Sequence, residues 1–259
     1  MNKAIMAVMF SVFAAASQAA DPSTLMENVK WREDGVSRTA SVTLLLTDAR
    51  GNERQREVAF IERDRDNVRE TRLLIQQPLD VKGTAILLKS DAEKASSEDD
   101  IWLYLPALKK VKRLSATNKR GRFVGSEFSY TDLEWLRVED FSYQLLGAET
   151  WQGDTVYKIE ALPASQEVIK KTGYSKKVLW VNPNYDMVVK AVYFDERERE
   201  LKTMQVDEVS QLQGYWTAVV QTIHNLQSGR TTKMVVNDIE YDTTIPAKHF
   251  KQQNLKRAL

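Results

Sequence analysis

Seven basic residues and no acid fall between Lys109 and Arg122: Lys109, Lys110, Lys112, Arg113, Lys119, Arg120 and Arg122. Phe123, Phe128, Tyr130, Leu133 and Trp135 follow at once, with Gly121 and Gly125 among them. Cations beside an aromatic segment suit a target that is both anionic and apolar. A phosphate headgroup, an anionic leaflet or an acidic face on another protein would each fit. Each cation near an anionic membrane contributes about 1 kcal/mol, so four to seven would matter. The plainer reading of the same run is a solvated edge strand and loop, since lysines keep sheet edges from pairing with other chains. The aromatics either plug the core beneath a long loop or line an apolar pocket under a flap that the glycines allow to move. An acidic cluster of Asp91, Glu93, Glu98, Asp99 and Asp100 precedes the run and offers it ion-pair partners.

Catalytic chemistry finds little support. The only histidines are His224 and His249, and cysteine is absent. His224 falls inside an expected strand with no second ligand or base near it, and His249 lies in a polar C-terminal segment. No G-x-S-x-G elbow, H-E-x-x-H, P-loop or dinucleotide fingerprint occurs. Carboxylate pairs such as Asp99-Asp100 and Glu139-Asp140 exist, but a glycosidase needs two acids held at a defined separation in a cleft. The expectation is a protein without catalytic residues, bound metal or cofactor.

Residues 1–19 read as a secretory signal: Lys3, then the apolar run Ala4 to Ala16, then Ser17-Gln18-Ala19 with small residues at the cleavage positions. The run is shorter than the roughly 20 residues that span a bilayer. The expected mature chain, residues 20–259, is then a soluble periplasmic domain. It has no cysteine for lipid attachment or disulfides, so its stability must come from a core. Losing Lys3 leaves 36 basic residues against 36 acidic ones. A neutral chain is not a general nucleic-acid binder, and electrostatic recognition must be local.

Between these residues the hydrophobic period is mostly two. A short helix is expected over 22–29, capped by Asp21. Strands are expected near 36–48, 54–64, 68–77, 82–90, 100–106, 109–115, 141–150, 154–162, 176–182, 186–195, 200–210, 214–227 and 230–241. Connections this short leave no room for crossover helices, so the sheet must be antiparallel. Val178-Leu179-Trp180-Val181, Met187-Val188-Val189 and Ile101-Trp102-Leu103-Tyr104-Leu105 are apolar on both faces. One face of an antiparallel sheet usually meets water, so a second layer must cover these strands. Residues 116–140, 163–174 and 246–259 and the first helix are the candidates. A single curved sheet holding them over its concave side, a closed barrel and a two-sheet sandwich all fit.

The segments D-I-W-L-Y-L-P-A-L-K-K-V-K-R-L (100–114) and R-F-V-G-S-E-F-S-Y-T-D-L (122–133) resemble the outer-membrane lipoprotein-sorting proteins, a branch of the LolA-like superfamily that also includes LolA, LolB and RseB. Val178 to Val181, Lys190-Ala191, Trp216 to Ala218, Asn225-Leu226, Asp238 to Asp242, Ile245-Pro246 and Phe250 agree with it, and Glu127 stands where that family's pattern has aspartate. The resemblance implies a mainly β fold in which one curved antiparallel sheet forms a half-open barrel, with helices and loops as a lid over an apolar cavity.

It further implies a periplasmic carrier for lipid or lipoprotein acyl chains, sorting them towards the outer membrane, with transient membrane contact and an RND-type transporter as a partner. On that reading Trp102, Tyr104, Phe123, Phe128, Tyr130, Leu133, Trp135, Trp180 and Trp216 are candidates for the cavity or lid. The basic run would dock headgroups, a membrane or the transporter. The rival from another class is an RseB-like sensor that binds lipid and regulates a membrane partner. It is disfavoured because such proteins carry a further C-terminal domain for which this chain has no room. A lipid hydrolase is disfavoured by its missing residues.

Overall fold

A computed structural model of the chain describes residues 20–91 and 99–259. The signal segment at 1–19 and the acidic residues Glu93 and Glu98 lie outside the described residues. One antiparallel sheet of 13 strands dominates. Its first six strands are β1 (Ser37–Thr47), β2 (Glu53–Arg65), β3 (Val68–Gln77), β4 (Ala85–Asp91), β5 (Asp100–Leu105) and β6 (Lys110–Arg113). The other seven are β7 (Phe141–Trp151), β8 (Asp154–Pro163), β9 (Lys176–Asn182), β10 (Met187–Phe194), β11 (Glu200–Leu212), β12 (Tyr215–Asn225) and β13 (Thr231–Tyr241). Every expected strand is present, with ends within a few residues of those read from the period.

The spatial order is β6-β5-β4-β3-β2-β1-β13-β12-β11-β10-β9-β8-β7. Of the three architectures the pattern allowed, this is the single sheet, and it is not closed into a barrel. The first six strands meander outward to one edge. Residues 114–140 then cross to the opposite edge, and the last seven strands meander back until β13 pairs with β1. Local turn chemistry sets the hairpins. In the β1–β2 turn the Asp48 carboxylate accepts the backbone N–H of Arg50 at 2.8 Å and of Asn52 at 2.9 Å, and Gly51 takes a φ of +83° that a side chain would resist.

The two faces carry separate cores. Alternation along β4 sends Ile86 and Leu88 into a large core with residues of nearly every other strand, and Ala85 and Leu87 into a smaller one. The large core lies on the inner face, beneath the crossing segment 114–140 and the helix α1 (Pro22–Lys30). Asp21 caps that helix as expected, accepting the Thr24 N–H at 2.9 Å, and Leu25 and Met26 are buried.

One placement corrects the sequence reading. The C-terminal segment covers the outer face, not the concave side. Phe250 and Leu255 seal the smaller core over Ile61, Ala85 and Leu87. Arg72, buried beneath them, donates to the carbonyls of His249 at 3.2 Å and Leu255 at 3.4 Å, which satisfies groups that burial would otherwise strand. This explains why β5 is apolar on both sides: Ile101 and Leu103 face the inner core, and Trp102 and Tyr104 face the tail. Among the described residues no helix is long and apolar enough to cross a membrane.

Candidate functional site: an apolar cavity under a strap

The crossing segment forms a strap over the inner face. It contains the short helix α2 (Ala116–Lys119) and tight turns at 123–125, 130–133 and 138–140. Between strap and sheet lies a cavity of about 370 Å³. Its sheet wall is mostly aliphatic and comes from alternate positions, Ala40, Val42 and Leu44 on β1, Val58 and Phe60 on β2, Leu73 on β3 and Met234 and Val236 on β13, with Ile239 added beyond the bulge at Asn237. Phe123, Phe128, Leu133, Trp135 and Leu136 of the strap form the opposite wall.

The strap is held by buried charge. The Asp132 carboxylate accepts from Lys202 Nζ at 2.6 Å and from the Tyr174 hydroxyl at 2.8 Å, and it closes a capping box with Ser129. Burial would raise its pKa, but the Lys202 ammonium and the Ser129 hydrogen bonds hold it below the usual carboxylate range. Lys202 also donates to the Glu127 carbonyl at 3.0 Å, and the Glu127 N–H donates to Thr232 Oγ1 at 2.9 Å. The Glu127 carboxylate accepts from Asn225 Nδ2 at 2.8 Å and pairs with Arg122 at 2.7 Å. At the other end Arg137 pairs with buried Asp99, and the Trp135 indole N–H donates to the Lys30 carbonyl at 3.1 Å.

Four of the nine aromatic and aliphatic candidates, Phe123, Phe128, Leu133 and Trp135, therefore face the cavity. The other five do not. Tyr130 stands behind Phe123, edge-on at 6.1 Å. Trp102 and Tyr104 are on the outer face under the C-terminal tail. Trp180 lies between Lys158 and Lys190, 4.9 and 4.5 Å from its ring, and its indole N–H donates to Glu149 at 2.7 Å. Trp216 stacks on Tyr185 at 4.5 Å, although its neighbours Thr217 and Ala218 reach the lining.

The basic run divides in the same way. Lys119 is 1% exposed and bound to Glu134 at 2.7 Å. Arg120 donates to the Lys170 and Ile169 carbonyls at the end of α3 (Gln166–Thr172) and pairs with Glu196 at 2.9 Å. Arg122 braces the Gly125 turn. These three brace the strap, Lys119 from a buried position and Arg120 and Arg122 with part of each guanidinium side chain still exposed. Arg113 pairs across the edge hairpin with Asp100, as the flanking acidic cluster allowed. Lys109, Lys110 and Lys112 remain exposed on or beside the edge strand β6, with no ion pair among the described residues. Among the described residues no group of three or more His, Cys, Asp or Glu could hold a metal ion.

The feature that sequence reasoning missed is the mouth of the cavity. Arg32, Arg38, Glu62 and Arg69 line one end of it. Arg38 pairs with Glu62 at 2.6 Å and Asp34 at 3.2 Å. Arg69 forks onto Asp34 at 2.9 and 3.1 Å and onto Asp64 at 2.7 and 2.9 Å, with its guanidinium 4.5 Å from the Trp135 ring. Burial opposes the Arg69 charge, but Asp64, Glu62 and Asp34 together raise its pKa above the ordinary value. Beyond Arg32, Arg69 and Trp135 a second recess of about 350 Å³ opens outward past Trp31, Asp64 and Tyr215. Arg38, Ala40, Val42 and Leu44 follow a period of two, so the signal was in β1, but nothing local tells which face is inner.

Comparison with known proteins agrees with this architecture. A family model described only as an uncharacterized protein matches residues 68–257. The structure of an outer membrane lipoprotein-sorting protein domain from Vibrio parahaemolyticus is 30% identical, with a TM-score of 0.83 over 91% of this chain and 98% of that one. A DUF1329 family protein from Desulfovibrio piger is 24% identical, with a TM-score of 0.84 over 91% and 100% of the two chains. A LolA superfamily protein from Nitrosomonas europaea, 20% identical with a TM-score of 0.68 over 90% and 98%, shares the fold. No curated protein matches the chain.

Proposed function

We propose that this chain, which belongs to the family of outer membrane lipoprotein-sorting proteins within the LolA superfamily, is a non-catalytic carrier that holds a lipid tail in the cavity beneath its strap. The observation that supports this reading is the lining: aliphatic side chains from β1, β2, β3 and β13 face strap aromatics around about 370 Å³. Each methylene moved from water into such a site contributes about 0.8 kcal/mol, against the cost of ordering the chain. Ten methylenes would contribute about 8 kcal/mol before that cost.

The setting we propose is the periplasm, from the leader-like residues 1–19. The cargo would be an acyl-bearing lipid or lipoprotein moved towards the outer membrane. Lys109, Lys110 and Lys112 on the exposed edge would meet the anionic membrane surface or an RND-type transporter.

Transfer of a fluorescent lipid from donor to acceptor vesicles tests the reading. The wild-type chain should accelerate transfer in proportion to its concentration. Phe128→Asp, which puts a charge into the lining, should not. Equal transfer by both proteins would reject the cavity as the carrying site.

A further inference from the structure

The cavity is apolar along most of its wall and lined by arginines and their acidic partners at one end, and we infer that this end holds the carboxylate of a single-chain fatty acid, gripped by Arg32. The inference rests on the lipid-binding reading above and narrows its ligand.

Arg32 lines both the cavity and the outer recess, so it stands where a head group would sit once the tail was inside. Its two neighbours are committed to protein acids: Arg38 to Glu62 and Asp34, Arg69 to Asp34 and Asp64. Arg32 is not. Among the described residues its one ion contact is Asp34 at 3.9 Å, a carboxylate that both other arginines already engage. It donates no hydrogen bond to any described residue, yet its side chain is only 23% exposed. A guanidinium carries five N–H donors in a planar fork, and those of Arg32 have no protein acceptor among the described residues and are open to an incoming ligand. Burial lowers the pKa of Arg32. A carboxylate matches the fork with two parallel hydrogen bonds.

Two further observations select the ligand. The volume of about 370 Å³ lies near the floor of the range for small-molecule sites, roughly 300–1,000 Å³, which suits one chain and not two or three. Asp34, Glu62 and Asp64 ring the same mouth. A head with a single negative charge meets less repulsion there than a doubly charged phosphate monoester.

The test is equilibrium binding of tetradecanoate, tetradecanol and tetradecyl phosphate to the full chain and to Arg32→Gln. The wild type should bind tetradecanoate about tenfold or more tighter than tetradecanol, as a charged hydrogen-bonded pair provides. Arg32→Gln should bring tetradecanoate down to the affinity of the alcohol and leave the alcohol unchanged, which also shows that the variant is folded. Equal wild-type binding of acid and alcohol, or a preference that survives the substitution, would overturn the assignment while sparing the carrier reading. Tighter binding of the phosphate than of the carboxylate would overturn the choice of head. Failure of all three to bind the wild type would remove the carrier reading and this inference together.

Discussion

Lys202 Nζ lies 2.6 Å from Asp132 Oδ2, joining the strap to β11 across 70 positions of sequence. The two side chains are 4% and 9% exposed, so neither charge has water to fall back on. Removing one partner of a buried pair leaves the other uncompensated, at a cost of about 3–5 kcal/mol. Asp132→Asn should lower stability by that order in denaturant titration. A loss under about 1 kcal/mol would mean that the pair does not hold the strap.

The same carboxylate sets an acid limit. Its folded pKa is depressed, so its contribution is fully present above the unfolded value, near 3.8. It is lost as pH falls through the folded value. Stability of the wild type should therefore decline below about pH 4, and Asp132→Asn should decline less steeply over that window. Parallel curves for the two proteins would contradict the assignment.

Lys177 provides the opposite sign. Burial lowers its pKa to about 8, and its ammonium sits 4.3 Å from the Phe141 ring centroid and 5.4 Å from that of Tyr174. Below about pH 8 both folded and unfolded chains carry the proton, and the folded state bears the whole desolvation cost. Between that value and the ordinary lysine value of 10.5 the unfolded chain binds more protons, so stability rises with pH. Relative to Lys177→Met, the wild type should gain stability between pH 8 and pH 10. A constant difference between the two over that range would show that Lys177 titrates normally.

The thirteen strands were readable because a period of two is a local property of each segment. Which face looked inward was not. Bulges at Asn237 on β13, Leu146 on β7 and Val189 on β10 break the alternation that would have carried the phase from one strand to the next. Trp102 and Trp180 look as suitable for a lining as Trp135, and only the tail over β5 and the lysines beside β9 show otherwise. The basic run divides between strap and edge for a related reason. Lys119 and Arg120 are committed to Glu134 and to the carbonyls of α3, acceptors that adjacent sequence does not reveal.

That corrected placement is itself testable. Trp102→Ala should cost about 2 kcal/mol of stability from lost packing under the tail and leave lipid affinity unchanged. Phe128→Asp should abolish lipid binding. Loss of lipid binding in Trp102→Ala, at a temperature where it stays folded, would put Trp102 back in the site.

Charge at the sheet edge should act separately from the cavity. Lys109, Lys110 and Lys112 changed together to glutamate should weaken binding to anionic vesicles at low salt by about 100-fold, from about 1 kcal/mol per lost cation. The melting temperature should not move, because these side chains are exposed. Changing Lys119 instead should destabilise the fold. Unaltered vesicle binding by the triple variant would remove the docking role from this edge.

The central claim is that the space beneath the strap is occupied by an acyl chain in the cell. Native mass spectrometry with lipid extraction, on protein recovered by osmotic shock, tests it most directly. The account predicts one acyl-bearing species per chain, lost in Phe128→Asp. A bare mass that stays unaltered after incubation with lipids and lipoprotein would contradict it, leaving the cavity as no more than a gap in the core.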